Sequence, residues 1–157
     1  MLRITLTFRS WYGKHVLGHE EGPLSMGVEF RRSELSFLEK MELCRLATVD
    51  REGRPHVVPI CYVFRDGAFY MVTDLGTKKH RNLQHNPRAT LVVDVYKPNR
   101  AVMVEGRAEL LTEGEEFRRI SEAFYERFEW ARRDFWDEGE VVIIKLVPEK
   151  KTSWGLK

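Results

Sequence analysis

Residues 55–73, PHVVPICYVFRDGAFYMVT, decide the fold of this chain. Two β-prone runs, Pro55–Arg65 and Ala68–Thr73, flank the dipeptide Asp66-Gly67, one of the strongest short signals for a hairpin turn. Because a two-residue turn joins antiparallel neighbours, the stretch predicts an antiparallel pair of strands. Pro59 lacks the N–H that a strand ladder needs, so the first strand is expected at a sheet edge or at a bulge.

The residue pattern around this hairpin predicts four more strands and up to three helices. The strands are Cys44–Asp50, Ala89–Tyr96, Ala101–Leu111 and Glu140–Val147, and the helices begin at Ser33, Thr77 and Thr112. The last helix ends at Phe128 and carries one apolar face, made of Phe117, Ile120, Ala123, Phe124 and Phe128. Closing the sheet hides its edges, so we expect an α+β fold, a β-barrel of about six antiparallel strands with peripheral helices.

The composition is that of one soluble, globular domain. The chain has 157 residues, of which 43% are hydrophobic and 32% charged, and its net charge is only +2. That balance argues against a protein that mainly coats nucleic acid, and no apolar run approaches the roughly 20 residues that span a bilayer. Cys44 and Cys61 form no CxxC pair, which favours a reducing cytoplasm. A single Gln and three Asn suggest a thermophilic source.

The chain divides into an N-terminal extension, residues 1–25, and a core domain, residues 26–157. The first 25 residues fit nothing that follows, because a short alternating run gives way to an irregular segment. Two interpretations stay open. The segment is an upstream extension or a misassigned start, or it is a strand that packs on the domain or on a partner.

The segment from Asp74 to Leu83, DLGTKKHRNL, carries the strongest signal for a ligand. Gly76 allows a tight turn, and Thr77 is a good residue to cap the helix that follows. Three basic residues, Lys78, Lys79 and Arg81, then occupy the first turns of the helix, where the helix dipole disfavours cations. A bound phosphate would resolve that conflict. The alternative is a solvated basic face on a surface helix.

The motifs of several other site classes are absent from the sequence. There is no GxGxxG after a strand, no Walker loop, no GxSxG elbow and no HExxH, so the expected metal set is none and the catalytic residues are unknown. The carboxylates Asp50, Asp74 and Asp94 end or interrupt strands, which favours a structural role. A small barrel with a phosphate-type helix start and no catalytic side chains suits a domain whose cofactor supplies the chemistry.

Several short motifs follow one another along the chain. They are Leu46-Ala47-Thr48-Val49-Asp50, Gly53-Arg54-Pro55-His56-Val57-Val58-Pro59, Asp66-Gly67-Ala68-Phe69-Tyr70-Met71-Val72-Thr73, Thr77-Lys78-Lys79-His80-Arg81-Asn82-Leu83, Asn86-Pro87, Val104-Glu105-Gly106-Arg107-Ala108, Pro148-Glu149-Lys150 and Ser153-Trp154-Gly155. In this order they resemble the pyridoxamine 5'-phosphate oxidase-like family of FMN-binding split β-barrels.

The resemblance implies an antiparallel six-stranded split barrel that forms a homodimer, with two cofactor sites at the subunit interface. It places Thr77, Lys78, Lys79, Arg81 and Asn82 at or near the FMN phosphate, and Thr73 and Asp74 along the ribityl chain. Val57, Val58, Pro59, Ile60 and Tyr62 would run beside the isoalloxazine, largely through their backbone groups. Tyr96, Arg100, Val102 and Trp154 would come from the partner subunit.

One departure from the family pattern bears on the substrate. True pyridoxamine phosphate oxidases carry a C-terminal Arg-x-His element, which the segment Lys150–Lys157 lacks, so vitamin B6 oxidation is disfavoured. The leading expectation is an FMN-dependent flavin reductase or an oxidase of a small substrate. An F420-dependent reductase is the first alternative, with Arg51, Arg54, Arg65, Lys97 and Arg100 as candidate residues for the acidic tail. The second is a non-catalytic flavin-binding module, and the family also has haem-handling members.

Overall fold

The structure, a computed structural model, describes residues 27–157. The predicted extension, residues 1–25, lies outside the described residues. Seven strands and four helices follow one another along the described chain. In order they are α1 (Arg32–Lys40), β1 (Leu43–Val49), β2 (Pro55–Cys61), β3 (Val63–Arg65), β4 (Ala68–Asp74), α2 (Lys78–His85), β5 (Arg88–Val95), β6 (Arg100–Leu111), α3 (Glu115–Arg127), α4 (Glu129–Arg133) and β7 (Val141–Trp154).

The seven strands form one antiparallel sheet in the order β2-β1-β5-β6-β7-β4-β3. The antiparallel barrel is confirmed, but the strand count is seven rather than six. The predicted strand Pro55–Arg65 breaks at Tyr62, which separates β2 from β3. The ring of Tyr62 is fully buried, its hydroxyl donates to the Leu38 carbonyl at 2.6 Å, and its backbone N–H donates to the Glu42 carbonyl at 3.0 Å.

The position of Tyr62 makes the sheet curl into a barrel. β2 and β3 are the two outermost strands of the sheet, yet only one residue separates them along the chain. The two edges must therefore lie side by side, and because they do not pair with each other the barrel stays split there. Pro59 lies in β2, so its predicted place on an edge strand is confirmed.

The predicted hairpin at Asp66-Gly67 is also confirmed. It joins β3 to β4, and both residues have positive φ, 52° for Asp66 and 76° for Gly67. Positive φ at both central positions is the type I′ geometry, whose twist matches that of the flanking strands.

Two core clusters explain the long apolar runs of β4 and β7. Inside the barrel, Phe69 and Met71 of β4 pack with Ile144 and Leu146 of β7. The alternate residues of the same strands, such as Tyr70 and Ile143, pack outward against α3. The predicted apolar face of α3 is buried in that second cluster, as expected for a helix that covers one side of a sheet.

α2 begins at Lys78 with Thr77 at its cap position, as predicted, but the starts of two other helices differ from the predictions. α1 begins at Arg32, and the Glu34 carboxylate, rather than the Ser33 hydroxyl, caps it by accepting the Arg31 backbone N–H at 2.7 Å. α3 begins at Glu115 after Gly114, whose φ of 97° suits glycine, so Thr112 does not cap it. α4 was not predicted. No helix within residues 27–157 is long and apolar enough to cross a membrane.

The last strand is longer than the predicted Glu140–Val147. β7 runs to Trp154, because a register shift opposite Glu105 and Gly106 carries the strand past Pro148. A bulge is where a sheet tolerates a residue without an N–H. Gly106 is required there, since a Cβ at this position would lie 2.1 Å from the Val147 carbonyl oxygen.

Candidate functional site

Two clefts lie on either side of the start of α2. The main cleft has a volume of about 670 Å³, within the roughly 300–1,000 Å³ of typical ligand sites. It is lined by Pro59, Ile60, Val72, Thr73, Asp74, Lys79, Trp130, Asp134, Phe135, Trp136, Glu140 and Val141. The side cleft, of about 510 Å³, is lined by Asp50, Arg51, Glu52, Lys78, Arg81, Asn82, Gln84 and His85.

One wall of the main cleft is the edge strand β2. The Tyr62 N–H donates to the Glu42 carbonyl, so in the antiparallel register every second residue back from Tyr62 directs its backbone groups toward β1. The residues between them, which include Pro59 with its missing N–H, direct their backbone groups away from β1. The N–H groups of Val57 and Cys61 and the carbonyls of Val57 and Pro59 therefore point to the unpaired edge. Such groups can bond the polar rim of a flat ligand through the backbone alone.

The start of α2 is an uncapped helix N-terminus. Thr77 occupies the cap position, but its hydroxyl makes no capping bond and instead donates to the Asp74 carbonyl at 3.2 Å, lying 3.3 Å from the Thr73 hydroxyl. Gly76 takes the φ of 73° that this tight turn needs. The first N–H groups of the helix thus lack a side-chain acceptor and suit an anion.

His80 and Arg81 hold this turn in place. The Gly76 N–H donates to His80 Nδ1 at 2.9 Å, so Nδ1 is an acceptor and carries no proton. Burial, assisted by the positive charge of Arg81, lowers the pKa of His80. The Arg81 guanidinium donates to the Gly76 carbonyl. Both side chains therefore shape the approach to the helix N-terminus.

The structure divides the predicted phosphate residues between the two clefts. Lys79 lines the main cleft, whereas Lys78, Arg81 and Asn82 line the side cleft. The Lys78 ammonium lies 3.6 Å from a carboxylate oxygen of Asp50. Asp50 itself accepts N–H bonds from Glu52 and Arg54, which is the structural role that its place at a strand end predicted.

The side chains of three predicted site residues are buried and make contacts within the protein. Tyr62 is buried against α1, and Val102 is fully buried in the barrel core. The Asn82 amide donates to the Thr48 hydroxyl at 3.0 Å, although Asn82 also borders the side cleft. Among the β2 residues, Pro59 and Ile60 line the main cleft, whereas Val57 and Val58 do not.

The residues expected to serve a partner subunit lie at the far ends of β5, β6 and β7. Tyr96 is 80% exposed and Trp154 is 42% exposed, with its indole N–H donating to the Asn99 side chain at 3.1 Å. Arg100 pairs with Val95 at the start of β6. None of these residues lines either cleft of its own chain.

The aromatic wall of the main cleft is the part of the site that sequence reasoning missed. Trp130, Phe135 and Trp136 form this wall, with Asp134 and Glu140 beside them. The sequence shows three aromatic residues within 130–136, but aromatic side chains that only pack in the core give the same pattern. Within residues 27–157, no group of His, Cys, Asp and Glu side chains is placed to hold a metal ion.

Comparison with known proteins places this chain in a family. A family model described as pyridoxamine 5'-phosphate oxidase matches residues 33–155. A 5a,11a-dehydrotetracycline/5a,11a-dehydrooxytetracycline reductase of Streptomyces rimosus is 30% identical over 83% of this chain and 86% of its own length. A pyridoxine/pyridoxamine 5'-phosphate oxidase of Burkholderia thailandensis is 38% identical over 56% of this chain, but the match spans only 42% of that oxidase.

Solved structures share the fold at lower sequence identity. The haem storage protein HutZ of Vibrio cholerae aligns with a TM-score of 0.69 and 20% identity, covering 78% of this chain and 92% of HutZ. An F420 reductase aligns with a TM-score of 0.58 and 22% identity, covering 74% of this chain and 94% of the reductase. At these identities the likeness establishes the fold alone.

Proposed function

The chain belongs to the pyridoxamine 5'-phosphate oxidase family, and from this premise we propose that it is an FMN-binding oxidoreductase. The observation that carries the proposal is that the uncapped start of α2 and the free edge of β2 border one cleft. A phosphate and a flat polar ring need those two features together. We propose a flavin reductase or an oxidase of a small substrate.

The phosphate end of the proposed site is the N-terminus of α2. Its free N–H groups and its dipole attract an anion, and the Lys79 ammonium adds a charge-assisted donor from within the main cleft. Lys78 and Arg81 approach the same helix turn from the side cleft. In this arrangement Lys78 exchanges its contact with Asp50 for the phosphate when the cofactor binds.

The ring end of the proposed site is β2. Pro59 and Ile60 give the ring an apolar floor, and the outward N–H and carbonyl groups of β2 bond its polar rim. Thr73 and Asp74, at the end of β4, supply a hydroxyl and a carboxylate for the ribityl hydroxyls. When bound, FMN supplies hydride transfer, and the chain holds and shields its ring.

An absorption spectrum and a titration test the cofactor. We expect purified protein to show the flavin spectrum or, if it is purified without cofactor, to bind one FMN per chain in calorimetry. FMN, F420 and haem have distinct spectra, so one measurement separates the three. Tight F420 binding with no FMN binding would replace the proposal by its first alternative.

The F420 alternative is supported by one feature of the side cleft. Arg51 lines it together with Lys78 and Arg81, which would suit an acidic tail. Two other candidates are engaged within the fold, since Arg54 bonds Asp50 and Arg65 lies 3.5 Å from Glu126, and the last two, Lys97 and Arg100, do not line the side cleft. The second alternative, a non-catalytic flavin-binding module, predicts FMN binding without turnover of any electron donor.

We also propose a homodimer that forms through the outer face of the sheet. Strand pairing forms two cross-strand rows on that face, Pro59-Arg45-Val92-Met103 and Val57-Ala47-Thr90-Glu105, in which five of the eight residues are apolar. None of these apolar residues belongs to either core cluster, and Val57 is 64% exposed. Apolar side chains that are left outside the core and mixed with a few polar ones are typical of a protein–protein interface. A second copy would also bring Tyr96, Arg100 and Trp154 to the partner's cofactor.

We expect sedimentation to give a dimer at micromolar concentration and Val92→Glu to give a monomer. Val92 lies between Met103 and Arg45, and the Arg45 guanidinium is already bonded to Asp94, so a carboxylate at this position would be buried in the interface without a free partner. Circular dichroism must give the same fold for both proteins. A wild-type chain that sediments as a monomer with flavin bound would contradict the shared site.

We further propose that the protein is cytoplasmic and comes from a thermophile. Both cysteines, Cys44 and Cys61, are free thiols, which favours a reducing cytoplasm. A thermophilic source is supported by the scarcity of Asn and Gln.

A further inference from the structure

The main cleft has two unlike walls. Toward α2 it is polar, with Thr73, Asp74 and Lys79. Toward α4 it is aromatic, with Trp130, Phe135 and Trp136. The proposed cofactor uses β2 and the polar wall, which leaves the aromatic wall without a role in cofactor binding.

The rings of the aromatic wall are held in place by contacts with the protein, yet two of them stay partly exposed. Trp136 is fixed by its indole N–H, which donates to the Ser121 hydroxyl at 2.9 Å. Trp130 stacks on Phe128 with ring centroids 5.6 Å apart, and Phe135 meets the Tyr125 ring edge-on at 4.6 Å. Nevertheless Trp130 stays 44% exposed and Phe135 stays 66% exposed. Held aromatic rings with free surface in a concave site are suited to stacking on a flat ligand.

The charges of the cleft restrict that ligand further. Its lining includes three carboxylates, Asp74, Asp134 and Glu140, against one ammonium, Lys79. The phosphate of the proposed cofactor would engage Lys79 and its ribityl chain would engage Asp74, so Asp134 and Glu140 would face the second ligand without a counter-charge. An acidic ligand would therefore be repelled from the aromatic wall.

We propose that the aromatic wall binds the substrate, and that the substrate is a flat, multi-ring molecule without an acidic group. The inference rests on the proposed function, because it assigns to FMN the other half of the cleft. A substrate of this kind differs from one that carries a phosphate, which would need cations in the cleft. Aromatic rings and carboxylates line the cleft instead.

Calorimetry on the FMN-loaded protein with three two-ring probes tests the charge rule. The probes are 2-naphthol, which is neutral, N-methylquinolinium, which is cationic, and naphthalene-2-sulfonate, which is anionic. We expect the neutral and cationic probes to bind at least tenfold more tightly than the sulfonate. Equal affinities, or a preference for the sulfonate, would overturn the inference.

Variants then locate the two effects. Trp130→Ala with Phe135→Ala should weaken 2-naphthol binding at least tenfold, and unchanged binding would overturn the inference. Asp134→Asn with Glu140→Gln should strengthen sulfonate binding at least fivefold and leave 2-naphthol unchanged. The matched control, Asp137→Asn with Glu138→Gln, removes two charges from the same segment outside the cleft lining. An equal gain in the control would mean that the cleft does not set the preference.

FMN binding is measured first, by quenching of flavin fluorescence, so that the two proposals fail separately. Absence of FMN binding counts against the proposed function. The same probe titration on flavin-free protein still reports on the aromatic wall, because that wall belongs to the chain itself. FMN-loaded protein that does not discriminate among the probes counts against the substrate class alone.

Discussion

Replacing Lys78 and Lys79 together by alanine is expected to weaken FMN binding at least tenfold. A charge-assisted hydrogen bond contributes roughly 1.5–3 kcal/mol, and about 1.4 kcal/mol corresponds to a factor of ten in affinity. The fold of the cofactor-free variant should be intact or slightly more stable, because two cations are removed from the positive end of α2. Calorimetry gives the affinity, and urea unfolding gives the stability.

Riboflavin, which lacks the phosphate, provides the control for this result. Its binding should barely respond to the double change, whereas general damage to the cleft would weaken both ligands equally. Lys40→Ala, at the exposed end of α1, is a matched lysine outside both clefts and should affect neither ligand. Equal losses for FMN and riboflavin, or no loss for either, would show that the basic run is only a solvated face.

The single variants separate the two lysines. Lys79 lines the main cleft directly, whereas Lys78 is already engaged by Asp50 across the side cleft. Lys79→Ala should therefore account for most of the loss in FMN affinity. A larger loss in Lys78→Ala would place the phosphate in the side cleft instead.

The largest expected effect on stability comes from Glu34→Ala. The Glu34 side chain is 1% exposed and accepts bonds from Lys151 and Ser153 of β7 as well as from Arg31. Its removal leaves the largely buried Lys151 without its carboxylate and α1 without its cap. Breaking a buried ion pair from one side costs about 3–5 kcal/mol. Urea unfolding should record that loss, with Glu39→Ala, an exposed carboxylate on the same helix, as the control.

A stability loss as small as that of Glu39→Ala would mean that the Glu34 cluster contributes nothing. The pH dependence gives an independent measurement. Burial alone would raise the pKa of Glu34, but the bonds from Lys151, Ser153 and Arg31 outweigh burial and lower the pKa to about 2. The unfolded chain, with the ordinary pKa of 4.5, takes up the proton first as the pH falls. The free energy of unfolding of wild type should exceed that of Glu34→Ala by its full amount above about pH 4.5. This difference should shrink as the pH falls from about 4.5 to 2.

Local chemistry predicted the parts of the fold that depend on neighbouring residues. The hairpin at Asp66-Gly67 follows from turn geometry, and the edge position of β2 follows from the missing N–H of Pro59. The break at Tyr62 was not predictable from its neighbours. It depends on carbonyls of Leu38 and Glu42, which only the folded barrel brings within reach.

The same distinction holds for the candidate site. The start of α2 was identified from its basic run, because the conflict between cations and the helix dipole is local. Lys78 and Lys79 line two different clefts, and this division depends on where β1 and α4 lie in the folded protein. It could not be predicted from the sequence, and both lysines were therefore expected at the same phosphate. The aromatic wall was missed because only the tertiary fold brings Trp130 and Phe135 to the cleft that Pro59 and Ile60 of β2 also line.

The place of β7 in the sheet also governs how a growing chain can fold. β7 pairs with both β4 and β6, and residues 75–140 separate it from β4 along the chain. At about 5–20 residues per second, a ribosome needs roughly 3–13 s to make that intervening segment. Until then the nascent β4 carries an unpaired edge and two apolar faces, a state prone to aggregation. The interval between the synthesis of β4 and that of β7 is therefore the stage at which the nascent chain is most prone to aggregate.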